Sequence, residues 1–530
     1  MYKIMIRDNM SPVAKEILEA TGQIEVVVDN DKATNDPEKL AEIIEEYDGL
    51  AIRSGTRVTK QLLEKAKRLK VIGRAGIGVD NIDLQSATEK GVVVMNAPGG
   101  NSVTTAEHAL SMMMALARNI PQATASLRHG KWEKKKFSGV EITGKTLGIV
   151  GLGQIGRIVA DRALGLKMKV VAADPYVSRD AAIKVGVTLV KLDDLFAEAD
   201  FITLHVPRLK ETENLINSKS IAKMKEGVRL INGSRGEVVN LDDLYAAVEN
   251  GHVAGAALDV FPIEPPDGSH LIFSHPNIIY TPHLGASTSE AQVKVSCMIA
   301  EQMSAYLLDG LITNAVNYPA VSMEEMETLR PYLSLAEKMG SLMGQLIRSP
   351  NDISIDYSGD AASVSIRPVT HALLKGLLGA FTDMPINYVN ARAVAKAKGL
   401  GVKETITQED SGFSSLIKLR IEGADEKLNE VWGAIFENKY MRFVRIGQIY
   451  LDAIPEGSML VIRNIDKPGV IGHVGTTLGR HDINIGRFQL GRRNDRAVCL
   501  VNIDTKADEA VLDELRSNPV ILSVRQVDLG

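Results

Sequence analysis

Three side chains of this 530-residue chain pair useful chemistry with comparable placement. Arg235 follows Val228-Arg-Leu-Ile-Asn-Gly-Ser, Glu264 follows Leu258-Asp-Val-Phe-Pro-Ile, and His283 follows Ile279-Tyr-Thr-Pro. Each stands at or just beyond a short β-rich run. In an open parallel sheet the carboxyl ends of the strands face the ligand crevice, so three separate loops can bring a cation, a carboxylate and an imidazole together. An imidazole titrates near neutral pH and can take the proton of a hydroxyl group. A neighbouring carboxylate fixes the ring's tautomer and stabilises the imidazolium. An arginine can hold a carboxylate in a two-point grip. Taken singly, such residues are more often surface or capping groups. Their joint placement points to proton transfer on a 2-hydroxy acid.

Removing a proton from a secondary alcohol oxidises it only if a hydride leaves too, and the chain carries a place for a hydride acceptor. The run Thr146-Leu-Gly-Ile-Val-Gly-Leu-Gly-Gln-Ile-Gly156 reads as a strand, three glycines and a helix opened by Gln154 and Ile155. Gly151 permits the tight turn, Gly153 lets the backbone approach a pyrophosphate, and Gly156 lets helix and strand pack closely. The helix N-terminus directs free N–H groups at the phosphates. The strand Lys169-Val-Val-Ala-Ala ends in Asp174, whose carboxylate suits ribose hydroxyls and repels a 2′-phosphate. A lone glycine triplet is weak. Strand, helix, second strand and acid at this spacing point to NAD.

The elements that must position these groups alternate. Strands are expected at Lys3-Ile-Met-Ile, Glu25-Val-Val-Val, Gly49-Leu-Ala-Ile-Arg, Lys70-Val-Ile-Gly and Val92-Val-Val-Met. A second series runs from Thr146 through Val170, Phe201, Val228, Gly255 and Ile278. Such alternation implies parallel sheets covered by helices. The chain therefore reads as α/β, with two Rossmann-like, doubly wound units. Helices over about 104–118 and 287–308 would join them, making the first domain discontinuous: residues 1–98 with 284–317, around a nucleotide-binding domain at 99–283. A cleft between such domains is a common ligand site. Residues 318–453 read as an α+β domain, with a helix at Met323–Ile347 and strands at Ile353–Ser358 and Leu416–Glu422. Residues 454–530 read as ferredoxin-like βαββαβ, with strands at Met459–Asn464, Ile483–Leu490, Ala497–Asp504 and Ile521–Val527.

Composition narrows the setting. A formal net charge of −5 gives no reason to expect nucleic acid or membrane as a partner. The N-terminus reads as a charged strand rather than a signal peptide, and no apolar run is long enough to span a bilayer. Cys297 and Cys499 form no CxxC pair, so no metal site or disulfide framework is expected, and a cytoplasmic location fits.

The glycine motif with Asp174, together with Asn232-Gly-Ser-Arg-Gly236, Ala257-Leu-Asp-Val-Phe-Pro-Ile-Glu-Pro265 and Thr281-Pro-His-Leu-Gly-Ala286, resembles the D-2-hydroxyacid dehydrogenases. Gly73-Arg-Ala-Gly-Ile-Gly-Val-Asp-Asn81, Asn96-Ala-Pro-Gly-Gly-Asn-Ser102 and Gly130-Lys-Trp-Glu-Lys-Lys-Lys-Phe137 are similar to the phosphoglycerate dehydrogenase branch of that family. The resemblance implies Arg235 on the substrate carboxylate, Glu264 paired with the histidine, and His283 as acid/base. It also implies that Asp259, Gly233, Ser234, Gly285 and Ala286 lie near the nicotinamide and its ribose. The turn with Val206 and Pro207 would line the cofactor cleft, with Val206 where relatives often carry a polar or small residue. A phosphorylated three-carbon acid needs cations at its far end. Arg53, Arg74, Lys134 and Lys135 are the candidates, with Ser54, Gly76, Asn101 and Ser102 beside them. The Lys134–Lys136 run reads equally as a solvated basic loop, although in the family it can reach a neighbouring subunit's site.

Near the C-terminus, Asn464-Ile-Asp-Lys-Pro-Gly469 and Asp482-Ile-Asn-Ile485 resemble the amino-acid-binding ACT domain. The resemblance implies an effector, L-serine, held at Asn464, Asp466 and Asn484 between two copies, in a homo-oligomer expected to be a tetramer. Asp466 reads alternatively as a mere cap of a helix beginning near Pro468, and one site can serve both as cap and as ligand contact. Residues 320–452 are similar in position and pattern to the family's intervening domain. The expected activity is NAD-dependent oxidation of 3-phospho-D-glycerate to 3-phosphohydroxypyruvate, opening L-serine synthesis. The alternatives are a dehydrogenase of glyoxylate, D-lactate or 2-oxoglutarate chemistry, and an NAD-sensing interaction protein on the same scaffold.

Overall fold

A computed structural model describes the chain apart from residues 32–33, 35, 320, 322, 348–349, 351, 383, 408–411 and 423–427. It contains four sheets. The first joins β1 (Tyr2–Ile6), β2 (Ile24–Val28), β3 (Gly49–Ile52), β4 (Val71–Arg74) and β5 (Val93–Asn96), all parallel, in the order β2-β1-β3-β4-β5. The second joins β6 (Thr146–Val150), β7 (Lys169–Ala173), β8 (Thr188–Leu189), β9 (Phe201–Leu204), β10 (Val228–Asn232), β11 (Val253–Leu258) and β12 (Ile278–Tyr280). Its order is β12-β11-β10-β9-β6-β7-β8. Strands covered on both faces read as continuous apolar runs, as in β3 and β9, where every residue is buried.

Both orders reverse next to the first strand of the sheet, between β1 and β3 and between β6 and β9. Ligands of open α/β sheets bind outside the carboxyl ends at such points. Register levels the strand ends that matter. Ile52 pairs with Arg74, Val150 with Leu204, Asn232 with Leu258, and Leu258 with Tyr280.

The two joining helices are Ser102–Ala117 and Ser289–Asp309. They divide their loyalties. Ala106, Ala109 and Met113 of the first pack with Leu147, Ile149 and Val159 of the second sheet unit. Val295, Ile299 and Met303 of the other pack with Ile4, Ala51 and Val71 of the first unit. The chain then returns to β5, where Asn317 accepts from the Val94 N–H at 2.9 Å and donates to the Val92 carbonyl at 2.9 Å.

The third sheet is mixed: β13 (Asp352–Gly359), β14 (Gly401–Thr407), β15 (Ser415–Glu422), β16 (Glu430–Phe436), β17 (Tyr440–Ile446) and β18 (Ile449–Ala453), in the order β14-β13-β15-β16-β17-β18. The helices Met323–Leu346 and Ile366–Gly379 supply its core with Leu335, Met339, Leu373 and Leu377. The fourth sheet holds β19 (Ser458–Ile465), β20 (Ile485–Arg493), β21 (Arg496–Ile503) and β22 (Ile521–Asp528) in the order β20-β21-β19-β22, with helices Val470–Arg480 and Glu509–Arg516. This is the βαββαβ arrangement read from the sequence. Met459, Val461, Leu500 and Val527 of this unit share one core with Ile355, Val431 and Phe443 of the third sheet unit, so these two units are packed as one body.

One expectation fails here. Asp466 does not cap a helix at Pro468. The helix begins at Val470 behind Gly469, whose φ of +95° delays its start, and it has no side-chain cap. Asp466 instead pairs with Arg492 at 2.7 Å.

Candidate active site

The loop after β12 carries His283 with φ +54°, outside the range ordinary residues prefer. It is held there by Asp259, the first residue beyond β11, which is fully buried. The Asp259 carboxylate accepts from Thr281 Oγ1 (2.5 Å), from the Leu284 N–H (2.7 Å) and from the Gly285 N–H (2.8 Å). The Asp259 main-chain carbonyl accepts from the His283 N–H at 2.9 Å. Burial pushes the Asp259 carboxyl up, but these bonds and His108 hold it below the usual range. One buried anion thus fixes the turn that presents the imidazole.

His283 Nδ1 lies 2.6 Å from Glu264 Oε2, and Glu264 Oε1 accepts from the Phe261 N–H at 3.0 Å. The carboxylate bond raises the His283 pKa, against the lowering effect of burial. Burial pushes Glu264 up, but the histidine bond and the Phe261 N–H outweigh it. With its proton held at Nδ1 by the carboxylate, the neutral ring leaves Nε2 as the base.

Beside this pair three guanidinium groups lie near one another. Arg235 is close enough to His283 to oppose its protonation. Arg74, at the end of β4, feels both Arg235 and Arg53, and burial together with these two cations brings its pKa down to about 10. Its Nε is buried without a hydrogen-bond partner. Three cations gathered at one cleft with an unsatisfied donor among them make an anion site. The glycines of the 73–81 loop allow the gathering, since a Cβ at Gly76 would stand 1.9 Å from Arg74 Nη1 and one at Gly78 2.0 Å from Arg235 Nη2. Arg53 is oriented by its backbone: its N–H donates to Asp8 at 2.8 Å and its carbonyl accepts from Asn81 at 2.8 Å. Ser54 is exposed beside it, and Asn101, next to the start of the joining helix, has a buried, unpartnered Oδ1.

The glycine turn after β6 has the form a dinucleotide needs. Gly151 has φ +93°, and a Cβ there would meet the His205 carbonyl at 2.5 Å. A Cβ on Gly156 would stand 2.1 Å from the Gly151 carbonyl, so the helix Gln154–Gly165 packs directly on the turn. Open space surrounds the Cβ position of Gly153, the helix N-cap, which has no side chain to cover the N–H groups of Gln154 and Ile155. Asp174 stands at the end of β7, accepting from the Leu152 and Tyr176 N–H groups at 2.8 Å each. Across the switch point are Val206 and Pro207. Gly233 and Ser234 follow β10, where buried Asn232 shapes the loop by accepting from Ser234 and donating to the Arg235 carbonyl. Gly285 and Ala286 complete the rim after His283. These residues fit NAD: an uncovered helix start for the pyrophosphate and a carboxylate for the ribose.

Lys134 and Lys135 are not brought to the arginines. They lie in an exposed turn at Lys134–Phe137, where Lys136 pairs with Glu133 at 2.6 Å. In the fourth unit Asn464 is buried, donating to the Ile465 carbonyl, and Asn484 donates to Asp504 at 2.7 Å. Asn464 and Asp466 lie at the end of the sheet where β19 meets Arg492 and Ala497, whereas Asn484 lies at the opposite end beside Ile503 and Asp504, so one chain does not bring the three together.

Two polar contributors escape a reading of the sequence. His108, on the helix Ser102–Ala117, sets Nε2 3.2 Å from Asp259 Oδ1 and 3.2 Å from Thr281 Oγ1. Asp80 binds Arg235. Only the histidine's position on the inner face of a helix could have pointed to it.

Comparison with known proteins fits this geometry. The NAD-binding domain of the D-isomer specific 2-hydroxyacid dehydrogenases matches residues 110–285. The D-3-phosphoglycerate dehydrogenase intervening domain matches residues 328–447, and the ACT domain residues 458–520. The fold and site are those of an NAD-dependent 2-hydroxyacid oxidoreductase. The chain is 42% identical to a D-3-phosphoglycerate dehydrogenase of Methanocaldococcus jannaschii and 40% identical to one of Bacillus subtilis, over 100% of this chain and of each relative. It belongs to the D-3-phosphoglycerate dehydrogenase family. Among solved structures, a D-lactate dehydrogenase from Aquifex aeolicus complexed with NAD and lactic acid is 27% identical, with a TM-score of 0.52, over 60% of this chain and 100% of that one. No helix among the described residues is long and apolar enough to cross a membrane.

Proposed function

We propose that the chain oxidises 3-phospho-D-glycerate to 3-phosphohydroxypyruvate, the opening reaction of L-serine synthesis. The observation that carries this reading is the gathering of Arg235, Arg74 and Arg53 beside His283, which offers one cation for a carboxylate near the base and two more for a phosphate. NAD supplies the hydride acceptor. Arg235 grips the carboxylate, His283 Nε2 takes the hydroxyl proton as the C–H hydride departs, and Glu264 stabilises the imidazolium that results. In the reverse direction His283 returns the proton.

Several finer readings accompany this one. The catalytic part consists of a substrate domain (1–98 and 284–317) and a nucleotide domain (99–283), followed by an intervening domain (318–453) and an effector domain (454–530). L-serine binds between paired effector domains at Asn464, Asp466 and Asn484, a reading supported by the ACT match. The enzyme works as a cytoplasmic homotetramer, in which Lys134 and Lys135 reach a neighbouring subunit's cleft.

NADH oxidation measured with 3-phosphohydroxypyruvate and with hydroxypyruvate, each with and without L-serine, tests the proposal. A kcat/KM at least a hundredfold in favour of the phosphorylated acid is expected, about what two charge-assisted contacts provide. Equal use of both acids would overturn the substrate assignment in favour of an unphosphorylated one.

A further inference from the structure

Arg235 meets a carboxylate from the opposite wall of the cleft. Arg235 follows β10 of the second sheet, whereas Asp80 lies in the loop after β4 of the first. Arg235 Nε donates to Asp80 Oδ2 at 2.9 Å, and Nη2 stands 2.9 Å from the same oxygen. Nη1 donates to the Ser234 carbonyl at 2.8 Å. Gly78 makes the approach possible, since a Cβ there would lie 2.0 Å from Arg235 Nη2 and 2.9 Å from Asp80 Oδ2.

A guanidinium has five N–H bonds in a fixed plane. Asp80 occupies the side-on edge, formed by Nε and one hydrogen of Nη2. The Ser234 carbonyl, which belongs to the adjoining residue, takes the hydrogen of Nη1 that points back along the side chain. One hydrogen then remains on each terminal nitrogen. These two are parallel and form the end-on fork, which matches the two oxygens of a carboxylate.

We infer that Asp80 is a positioning residue: it clamps Arg235 from across the cleft by the side-on edge and leaves the end-on fork to the substrate's carboxylate. The inference rests on the reading of Arg235 as the carboxylate grip. The grip is therefore assembled from both sheet units and is complete only when their loops meet.

The test uses full-length enzyme with Asp80→Ala, Asp80→Asn and Arg235→Ala. Competitive inhibition is measured with 2-phosphoglycolate, which carries a carboxylate and a phosphate, and with inorganic phosphate, which lacks the carboxylate. NADH affinity is followed by fluorescence. Asp80→Ala should weaken 2-phosphoglycolate, and raise KM for 3-phosphohydroxypyruvate, about tenfold, the scale of one misdirected charged hydrogen-bond pair. Phosphate inhibition and NADH affinity should stay within about twofold, which a general loosening of the loop would not permit. Asp80→Asn, which keeps an acceptor oxygen, should recover part of the loss. An unchanged ratio of the two inhibition constants in Asp80→Ala, beside a raised ratio in Arg235→Ala, overturns the role of Asp80 alone. An unchanged ratio in both overturns the carboxylate grip itself. If Asp80→Ala does not fold, Asp80→Asn should still shift the ratio about threefold, and the wild-type ratio there would overturn the inference.

Discussion

Glu264 Oε2 sits 2.6 Å from His283 Nδ1, and this contact sets the pH at which the ring changes charge. Glu264→Gln removes the charge that raises the His283 pKa, so that pKa should fall. Oxidation needs the neutral ring, so its activity is present above the His283 pKa and lost as pH falls through it. In Glu264→Gln that acid limb should move to lower pH. Reduction needs the protonated ring and is lost as pH rises through the same pKa, so its alkaline limb should move to lower pH as well. Profiles of kcat/KM in both directions decide this, and two limbs at their wild-type positions would show that the pair is not coupled in solution. His283→Ala should lower turnover by about a hundredfold or more while NADH affinity is kept.

Arg74 is buried between like charges with an unpartnered Nε. Such a group is retained at a cost to the free protein. Arg74→Met keeps the volume and removes the charge. It should raise KM for 3-phosphohydroxypyruvate about tenfold or more, barely alter hydroxypyruvate reduction, and leave Tm unchanged or higher. Thermal denaturation with steady-state kinetics checks both signs. A lower Tm with unaltered KM would make Arg74 structural.

Asp259 serves four donors with two oxygens. An asparagine there has one acceptor oxygen and turns an amide toward backbone N–H groups. Asp259→Asn should cost about 3 kcal/mol of stability and reduce turnover through disorder of the turn that holds His283. Urea denaturation measures the first and single-turnover kinetics the second. His108→Gln, which preserves a donor, should be milder than His108→Ala in both.

Asp174 stands just beyond the end of β7, and we propose that it meets the ribose hydroxyls. Asp174→Ala should weaken NAD and narrow its advantage over NADP, measured as the ratio of kcat/KM for the two cofactors. Because the same carboxylate accepts from the Leu152 and Tyr176 N–H groups, some loss of order in the glycine turn should accompany the change. A ratio equal to wild type would remove Asp174 from the cofactor's recognition.

The residues that could be read from the sequence are those whose partners follow from strand order. Arg235, Glu264 and His283 each trail a β-run, and a parallel sheet brings such ends together regardless of the details of the loops. The glycine turn is equally local. The strand β8 of two residues is too short to carry a pattern. Asp80 and His108 are different in kind, because their roles depend on contacts with Arg235 and Asp259 made across 155 and 151 positions. No periodicity encodes such distances. The helix cap assigned to Asp466 failed for a local reason: Pro468 suggested the first turn, but Gly469 in a left-handed conformation postpones it to Val470.

Asp466 is also where regulation should be tested. The ACT unit shares its core with the third sheet unit through Met459, Val461 and Leu500. Truncation after residue 455 would strip apolar cover from that core, so point substitutions report more cleanly. Asp466 accepts from Arg492 at the exposed end of the sheet. Its carboxylate suits the ammonium group of an amino acid; Asn464 stands at the same end of β19, whereas Asn484 lies at the opposite end of the sheet and would meet the ligand only from the paired copy. Serine bound there can act on His283 only by favouring one arrangement of the units over another. A coupling of ordinary size, about 1–3 kcal/mol, would give between about fivefold and 150-fold inhibition at saturation. Asp466→Ala should raise the serine concentration needed for half-inhibition about tenfold or more, with kcat and KM in the absence of serine unchanged. Asn484→Ala should act in the same direction. Calorimetry on the same variants separates binding from transmission: weakened serine binding places the site at Asp466, whereas undiminished binding with lost inhibition would make Asp466 part of the coupling. Undiminished binding and undiminished inhibition together would place the effector elsewhere.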